Sequence, residues 1–369
     1  MPSRYLSAVL DAPTAPLLEE RVAHWVRSFS AQHQLPLAQD PHGNLVLTYD
    51  GRGGRSEDLP LAFLVAMDHP GCELVAVAGD AAEGLWHGDL PTALARDTRV
   101  RVHGRQTQAT ARVVSWTSRE TPIGECVDRV LLQLEGRAQV GDLAALDLPG
   151  LRLEGDVVVG RSTLHLVGVA ALLDLLERFV THRPACRVQL FCVRASTLGF
   201  AGTIGLLERG ALLPGQCVVT VGGVAAQVGA QPGAGPVVRV GDALSLYDGA
   251  LLRSLQEAAG RYAASHANVR WQLSHLPLGA ADAGVLSLFG RRAGAIAVPI
   301  ENAMNLGRGS DGRLRLEAER FSLTDYRGLV NLLETLAVGW VDNDAPQRLA
   351  DDTREWLSSA AHEVLRRMV

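Results

Sequence analysis

Hydrophobic residues along this chain follow two different rhythms, and the change between them divides it. The first is continuous. Residues 61–66 read Leu-Ala-Phe-Leu-Val-Ala, an unbroken apolar run of the kind a strand needs when a mostly parallel sheet is covered on both faces. Residues 44–49 form a second strand-like segment. Upstream, residues 11–16 read Asp-Ala-Pro-Thr-Ala-Pro, a turn that predicts a helix with Thr14 or Ala15 near its N-cap and Pro16 in its first turn. Leu17, Val22, Trp25 and Val26 continue it at helical spacing.

The second rhythm occupies residues 71–156. Residues 99–103 alternate polar and apolar with period two, 112–116 and 130–134 are further short strands, and Gly104 and Gly136 punctuate them. No long helical pattern interrupts the stretch, which predicts a small β-barrel or sandwich. From residue 157 the first rhythm returns. The apolar run 157–159 leads into a helix over 167–179 with Asp174, Glu177 and Arg178 on its polar side. Strands over 188–193, 218–221 and 295–298 then alternate with helices over 199–208, 251–264 and 323–338. That alternation predicts an α/β fold with a doubly wound, mostly parallel sheet. The organisation is one discontinuous domain, 1–70 and 157–369, carrying an inserted β domain over 71–156. Residues 345–369 predict a terminal amphipathic helix, packed on this chain or on a partner.

Composition narrows the function. The chain has 369 residues, 47% of them hydrophobic, enough for a large core and a smaller one. A net charge of -5 argues against a nucleic-acid partner. All 35 cationic residues are arginine, which removes lysine Schiff-base chemistry. Five cysteines, none in a Cys-x-x-Cys pair, suit reduced thiols better than a disulfide framework or a structural zinc site. No signal-peptide pattern and no membrane-length apolar run is present, so a cytoplasmic location is expected.

Seven segments stand in a recognisable order. They are Gly43-Asn44-Leu45; Ala66-Met67-Asp68-His69-Pro70-Gly71; Gly155-Asp156 with Gly160-Arg161 ahead of the helix that carries Gly168; Arg194, Gly199 and Phe200; residues 235–242; residues 278–283; and residues 298–305. Together they resemble the glutamyl-aminopeptidase and tetrahedral-aminopeptidase family of dinuclear-metal peptidases, some of which carry endoglucanase labels. The resemblance implies the fold above, with the inserted β domain used in assembly. It also implies two divalent metals such as zinc or cobalt, held by two His and three carboxylates, with a Glu as general base.

Carried over position by position, that set is missing. The family's metal-ligand positions fall on Ala66, Leu164, Thr197, Gly222 (or one residue to either side) and Met304, and the base falls on Ser196. His165 follows the bridging-carboxylate position. Asp68, which in the family orients the first His, remains without it. His69 is adjacent, but successive residues of an extended segment face opposite sides. Leu, Ala and Gly offer no donor atom and Met only a soft one, so no metal cofactor is expected. Neutral replacements also relieve the repulsion of clustered carboxylates, letting the fold stand without metal.

Asp68, His165, Ser196 and Thr197 are weak catalytic candidates, since all fall near the carboxyl ends of strands. A Ser-His-Asp site could be assembled from them, although no Gly-x-Ser-x-Gly elbow surrounds Ser196. The plain alternative is a polar remnant with local hydrogen bonds. Asp282 and Glu301 are the other acids near the old cleft, with Glu301 expected to pair with an Arg such as Arg308. Asp242 is expected to tie a loop. Trp86, Trp116 and Trp271 read as core or interface anchors. The expected function is a non-catalytic homologue acting as a structural, regulatory or binding subunit, with an altered or metal-independent hydrolase as the alternative. Its expected partners are a second copy through the inserted domain, an active paralogue, or a peptide or small molecule in the old cleft. Neither nucleic acid nor membrane is expected.

Overall fold

The computed structural model describes residues 2–51, 59–104, 107–121, 124–227, 229–265, 269–340 and 344–367. Helices α1 (Arg4–Asp11) and α2 (Glu20–His33) precede strands β1 (Leu37–Gln39), β2 (Leu45–Asp50) and β3 (Leu61–Ala66). Six strands follow: β4 (Gly71–Ala78), β5 (Ala81–His87), β6 (Arg99–His103), β7 (Gln108–Thr121), β8 (Gly124–Gly136) and β9 (Leu143–Leu146). Then come β10 (Arg152–Glu154), β11 (Val157–Gly160), α3 (Thr163–His182), β12 (Arg187–Val193), α4 (Ala201–Glu208), β13 (Cys217–Ala225) and β14 (Val237–Asp242). The chain ends with α5 (Gly249–Ser265), β15 (Gln272–Leu276), α6 (Asp282–Leu288), β16 (Arg292–Ile300), β17 (Leu306–Arg308), β18 (Leu314–Leu316), β19 (Glu319–Ser322), α7 (Leu323–Val338) and α8 (Ala345–Arg367).

The main sheet has eight strands in the order β1-β2-β12-β3-β13-β16-β14-β15. Its centre, β12-β3-β13-β16, is parallel. The flanks are mixed, because β2 runs against β12 and β14 against β16. The apolar run of β3 is explained by its two faces. Leu61, Phe63 and Val65 join the core under α1, α2, α3, α5 and α7, while Ala62, Leu64 and Ala66 join a second core under α4 and α6. This is the doubly wound arrangement. On the first face the helices touch in the sequence α1–α3–α7–α5–α8, so α8 lies at the far side from α1.

The inserted strands close into a barrel, β4-β5-β8-β7-β6-β9. Its alternation is that of the sequence: Val100 and Val102 are buried, Arg99 and Arg101 exposed. Trp86 fills the barrel core, Trp116 packs at its margin beneath Arg96, and Trp271 packs against the main core instead. Strand β10 lies outside the barrel and pairs with β11, which pairs with β19.

One local expectation is corrected, and one helix was not foreseen. The helix expected to begin near Thr14 starts at Glu20. Thr14 is buried and donates its hydroxyl to the Met67 carbonyl at 2.8 Å, and Leu17 takes φ 71°, outside any right-handed helix. An earlier helix, α1, is capped by Ser3, whose Oγ accepts from the Leu6 N–H at 3.0 Å.

Candidate functional site

The carboxyl ends of β3, β12, β13 and β16 converge, the usual position for a site on an open α/β sheet. Chain leaving β3 passes through Met67-Asp68-His69-Pro70 straight into the barrel, so both cores meet here. Asp68 is fully buried and faces the loop after β12. One of its oxygens accepts from the Ser196 N–H at 2.9 Å; the other accepts from the Thr197 N–H at 2.8 Å and from the Thr197 hydroxyl. His69 turns the other way and meets Glu319 of β19, Nε2 to Oε1 at 3.1 Å.

Glu319 is the organising group, and sequence reasoning did not single it out. It is fully buried and accepts four hydrogen bonds: from His69 and the Met304 N–H (2.8 Å) on one oxygen, and from the Leu164 N–H (2.7 Å) and the Thr163 hydroxyl (2.9 Å) on the other. Two of these donors belong to the first turn of α3, whose own Ser162 makes no side-chain cap. A carboxylate from a distant strand therefore caps this helix and meets the positive end of its dipole. Burial pushes the Glu319 carboxyl upward, but the charge and hydrogen bond of His69 and the donors from Leu164 and Thr163 outweigh it and hold it below the usual range.

The four weak candidates gather here, but not as a nucleophilic relay. His165 Nδ1 lies 2.8 Å from the Asp68 carbonyl oxygen, so that nitrogen carries the proton and donates to backbone. The Ser196 hydroxyl donates to Asp282 at 2.8 Å. A nucleophilic serine needs its oxygen on a base that a third group orients; here the serine is bonded to one acid, and the histidine to the backbone of another. Asp282, at the start of α6, also accepts from the Thr203 hydroxyl. Its carboxyl is raised, first by burial, against the two hydroxyl bonds and His165.

A raised pKa has a sign. Folding disfavours the charged Asp282, so the wild-type chain bears a penalty at pH 7 that fades as pH falls and the group protonates. We expect Asp282→Asn to lie within about 1 kcal/mol of wild type at pH 7, on the stabilising side. Its advantage should shrink toward acid pH in urea melts. A loss of more than ~2 kcal/mol at pH 7 would mean that the charge is favourably held.

The implied metal positions also converge, with chemistry that does not fit a dinuclear centre. Ala66 ends β3, Leu164 opens α3, Thr197 follows β12, Gly222 lies near the end of β13, and Met304 follows β16. None carries a carboxylate or imidazole. A side chain at Gly222 would have room, its nearest neighbour being the Leu164 carbonyl oxygen at 3.4 Å; at Gly223 a Cβ would meet Ile300 at 2.5 Å. Among the described residues, no group of three or more His, Cys, Asp or Glu could hold an ion. Asn302, Met304 and Asn305 all have positive φ, a strained turn anchored by the Met304 N–H on Glu319.

Two outer acids complete the picture. Asp242 ties its loop as expected, accepting from the N–H groups of Leu244, Ser245 and Ala281 and from the Tyr247 hydroxyl. Glu301 pairs with an arginine as expected, though not with Arg308. It pairs with Arg320 of β19 at 3.6 Å, because an isolated bridge sets the two residues side by side, while Arg308 donates to the Gly312 carbonyl.

No protein-family model and no curated protein matches the chain. Solved structures do. An aminopeptidase from the archaeon Desulfurococcus kamchatkensis is similar with a TM-score of 0.75 at 16% identity, covering 94% of this chain and 97% of its own. The TET1 peptidase of Pyrococcus horikoshii, described as assembling into a tetrahedron or a large octahedral shell, has a TM-score of 0.71 at 18% identity, covering 91% and 99%. A Thermotoga maritima protein described as an endoglucanase has a TM-score of 0.67 at 15% identity, covering 94% and 99%. The fold is therefore that of the tetrahedral aminopeptidases and their endoglucanase-labelled relatives.

Proposed function

We propose that this chain is a non-catalytic homologue of the metalloaminopeptidases, acting as an assembling or binding subunit. One observation carries the reading: each buried acid left at the old site is saturated by donors of the protein itself. Asp68 holds the loop after β12, Asp282 holds Ser196 and Thr203, and Glu319 holds His69, Met304 and the start of α3. A metal ligand needs free lone pairs aimed at a common point. These carboxylates are aimed at three different partners, and the ligand positions between them are Ala, Leu, Thr, Gly and Met.

Two measurements test this. After dialysis against zinc or cobalt, elemental analysis should find no stoichiometric metal at the site. Hydrolysis of amino-acid anilides should equal buffer, since loss of a general base alone removes roughly 10²–10⁴-fold. Two ions per chain between Asp68 and Met304 would overturn the reading. Turnover abolished by Ser196→Ala would establish the metal-independent hydrolase instead.

The barrel, as part of an inserted domain over 71–156, is the proposed assembly surface. It stands outside the main core, and its margin offers Trp116, a residue type enriched at interfaces. The Pyrococcus horikoshii neighbour is described as assembling into a tetrahedron or a large octahedral shell. Cytoplasmic location belongs to the same proposal; the five cysteines are all buried, and no described helix is long and apolar enough to cross a membrane. Light scattering at micromolar concentration should give a multiple of the 39.4 kDa chain mass. A clean monomer would refute self-assembly and leave an active paralogue as the partner to be sought.

A further inference from the structure

Two arginines are buried among the described residues, Arg161 and Arg239. Arg239 has a carboxylate nearby, Asp242 at 3.9 Å. Arg161 forms no ion pair among the described residues; Asp11 and Asp147 act on it through space, but neither carboxylate bonds to it. Arg161 is 7% exposed, its Nη2 donates to the backbone carbonyl of Asp11 at 3.2 Å, and its Nε is buried without an acceptor. Its backbone is fixed, since its carbonyl accepts from the Asn305 side-chain amide at 2.9 Å. A buried guanidinium bonded only to a neutral group is disfavoured, because its lost hydration is not replaced.

The surroundings add positive charge. Arg161 lies between β11 and α3, where the main domain meets the barrel. His103, the last residue of β6, has its Nε2 buried without a partner. Arg21 of α2 donates to the carbonyl of the next residue, Gly104, at 2.9 Å and makes no ion pair among the described residues. Arg101 is matched by Asp147 at 2.9 Å. The His103 ring reads the resulting field: its pKa is pushed down to about 4, first by burial and then by Arg161, Arg21 and Arg101, with Asp147 opposing. Arg21 and Asp11, whose carbonyl Arg161 holds, line one open cavity of about 890 Å³. Ala8, Ala12, Pro13 and Trp25 give that cavity an apolar wall.

We propose that a phosphate group binds at this junction, held by Arg161, Arg21 and His103. The three donors come from three elements: the segment before α3, α2 and β6. A tetrahedral oxyanion offers acceptors in every direction, whereas a carboxylate offers two oxygens in one plane. Its double charge also balances the two guanidiniums that lack a carboxylate. The cavity is larger than a phosphate, so the organic part of a phosphomonoester has room against Pro13 and Trp25. Free phosphate and a monoester share the chemistry of the charged group. The site is apart from the old metal cleft and stands whether or not that cleft is catalytic.

Calorimetric titration of the full-length chain at pH 7, in a chloride buffer, tests this. Inorganic phosphate should bind once per chain, and acetate should bind roughly tenfold more weakly or not at all. Phenyl phosphate distinguishes the sources. Affinity about tenfold above that of phosphate marks a monoester, and equal affinity marks free phosphate. Arg21 is exposed, so Arg21→Gln should fold normally and weaken phosphate roughly tenfold, the loss of one charged hydrogen bond. Arg161→Met removes the buried charge at similar volume; it should abolish binding and melt no earlier than wild type. The His103 ring signals, assigned by their loss in His103→Gln, should shift during the phosphate titration. No binding at about 10 mM phosphate would overturn the proposal. So would equal affinity in wild type, Arg21→Gln and Arg161→Met, or shifts confined to other histidines, because the phosphate would then be seated elsewhere.

Discussion

Glu319→Gln is expected to lower stability by roughly 3–5 kcal/mol, the cost of removing one partner from a buried pair. The replacement has nearly the same shape, so the loss is electrostatic. Four donors point at the two carboxylate oxygens. An amide has one oxygen; its NH2 must face either His69 and Met304 or Thr163 and Leu164, leaving buried donors opposed. Depending on which way the amide faces, the same substitution either uncaps α3 or frees the strained turn at Met304. Urea melts at pH 7 give the number, and a change below ~1 kcal/mol would show that the network is not a unit.

The pH profile of that loss is fixed by sign. Glu319 is held below the usual carboxylate range. A depressed acid contributes stability that is complete above its unfolded value, about 4.3, and is lost as pH falls through the folded one. The gap between wild type and Glu319→Gln should therefore be constant above about pH 5 and close below about pH 4. His103 acts over a different window. Its pKa is pushed down to about 4 by burial and then by Arg161, Arg21 and Arg101. It stays neutral while the unfolded chain takes up its proton from about pH 6.5 downward, so stability falls between those values in wild type and variant alike. A gap that widened toward acid would contradict the assignment to Glu319.

Elements defined by one unbroken pattern were legible in the sequence. The strand expected over 61–66 is β3 to the residue, and the helix over 323–338 is α7. The barrel was legible because its strands alternate and no long helical pattern interrupts them. What the sequence hid is long-range. His69 and Glu319 are 250 residues apart, and Glu319 and Leu164 are 155 apart. No local pattern announces such a meeting: Glu319 lies in a stretch of alternating Arg, Glu and Leu that reads as an exposed edge. Short elements were lost for a related reason. β15 has 5 residues and α6 has 7, too few for a period to declare itself. The arginine expected beside Glu301 is Arg320 rather than Arg308, a cross-strand partner that only the fold supplies.

Gly168→Ala should be as damaging as the loss of Glu319, for a steric reason. Gly168 lies in the middle of α3, where a Cβ would stand 2.2 Å from the Val221 carbonyl oxygen and 3.1 Å from the Gly222 Cα. Both obstacles are backbone of β13, in the sheet's parallel centre, so neither can swing aside. The helix would have to lift from the sheet. Leu164 and Thr163 on its first turn would then move away from Glu319, and the Leu164 carbonyl away from Gly222. Overpacking typically costs 1–3 kcal/mol and more where backbone must shift, so about 3 kcal/mol or more is expected in a urea melt. Helix propensity predicts the opposite, since alanine is favoured over glycine by about 1 kcal/mol. Gly260, in α5, separates the two effects. Nothing lies within 4 Å of its Cβ position. Gly260→Ala should therefore stabilise by roughly 0.5–1 kcal/mol. If both substitutions stabilised, close contact between α3 and β13 would not be what positions the start of α3.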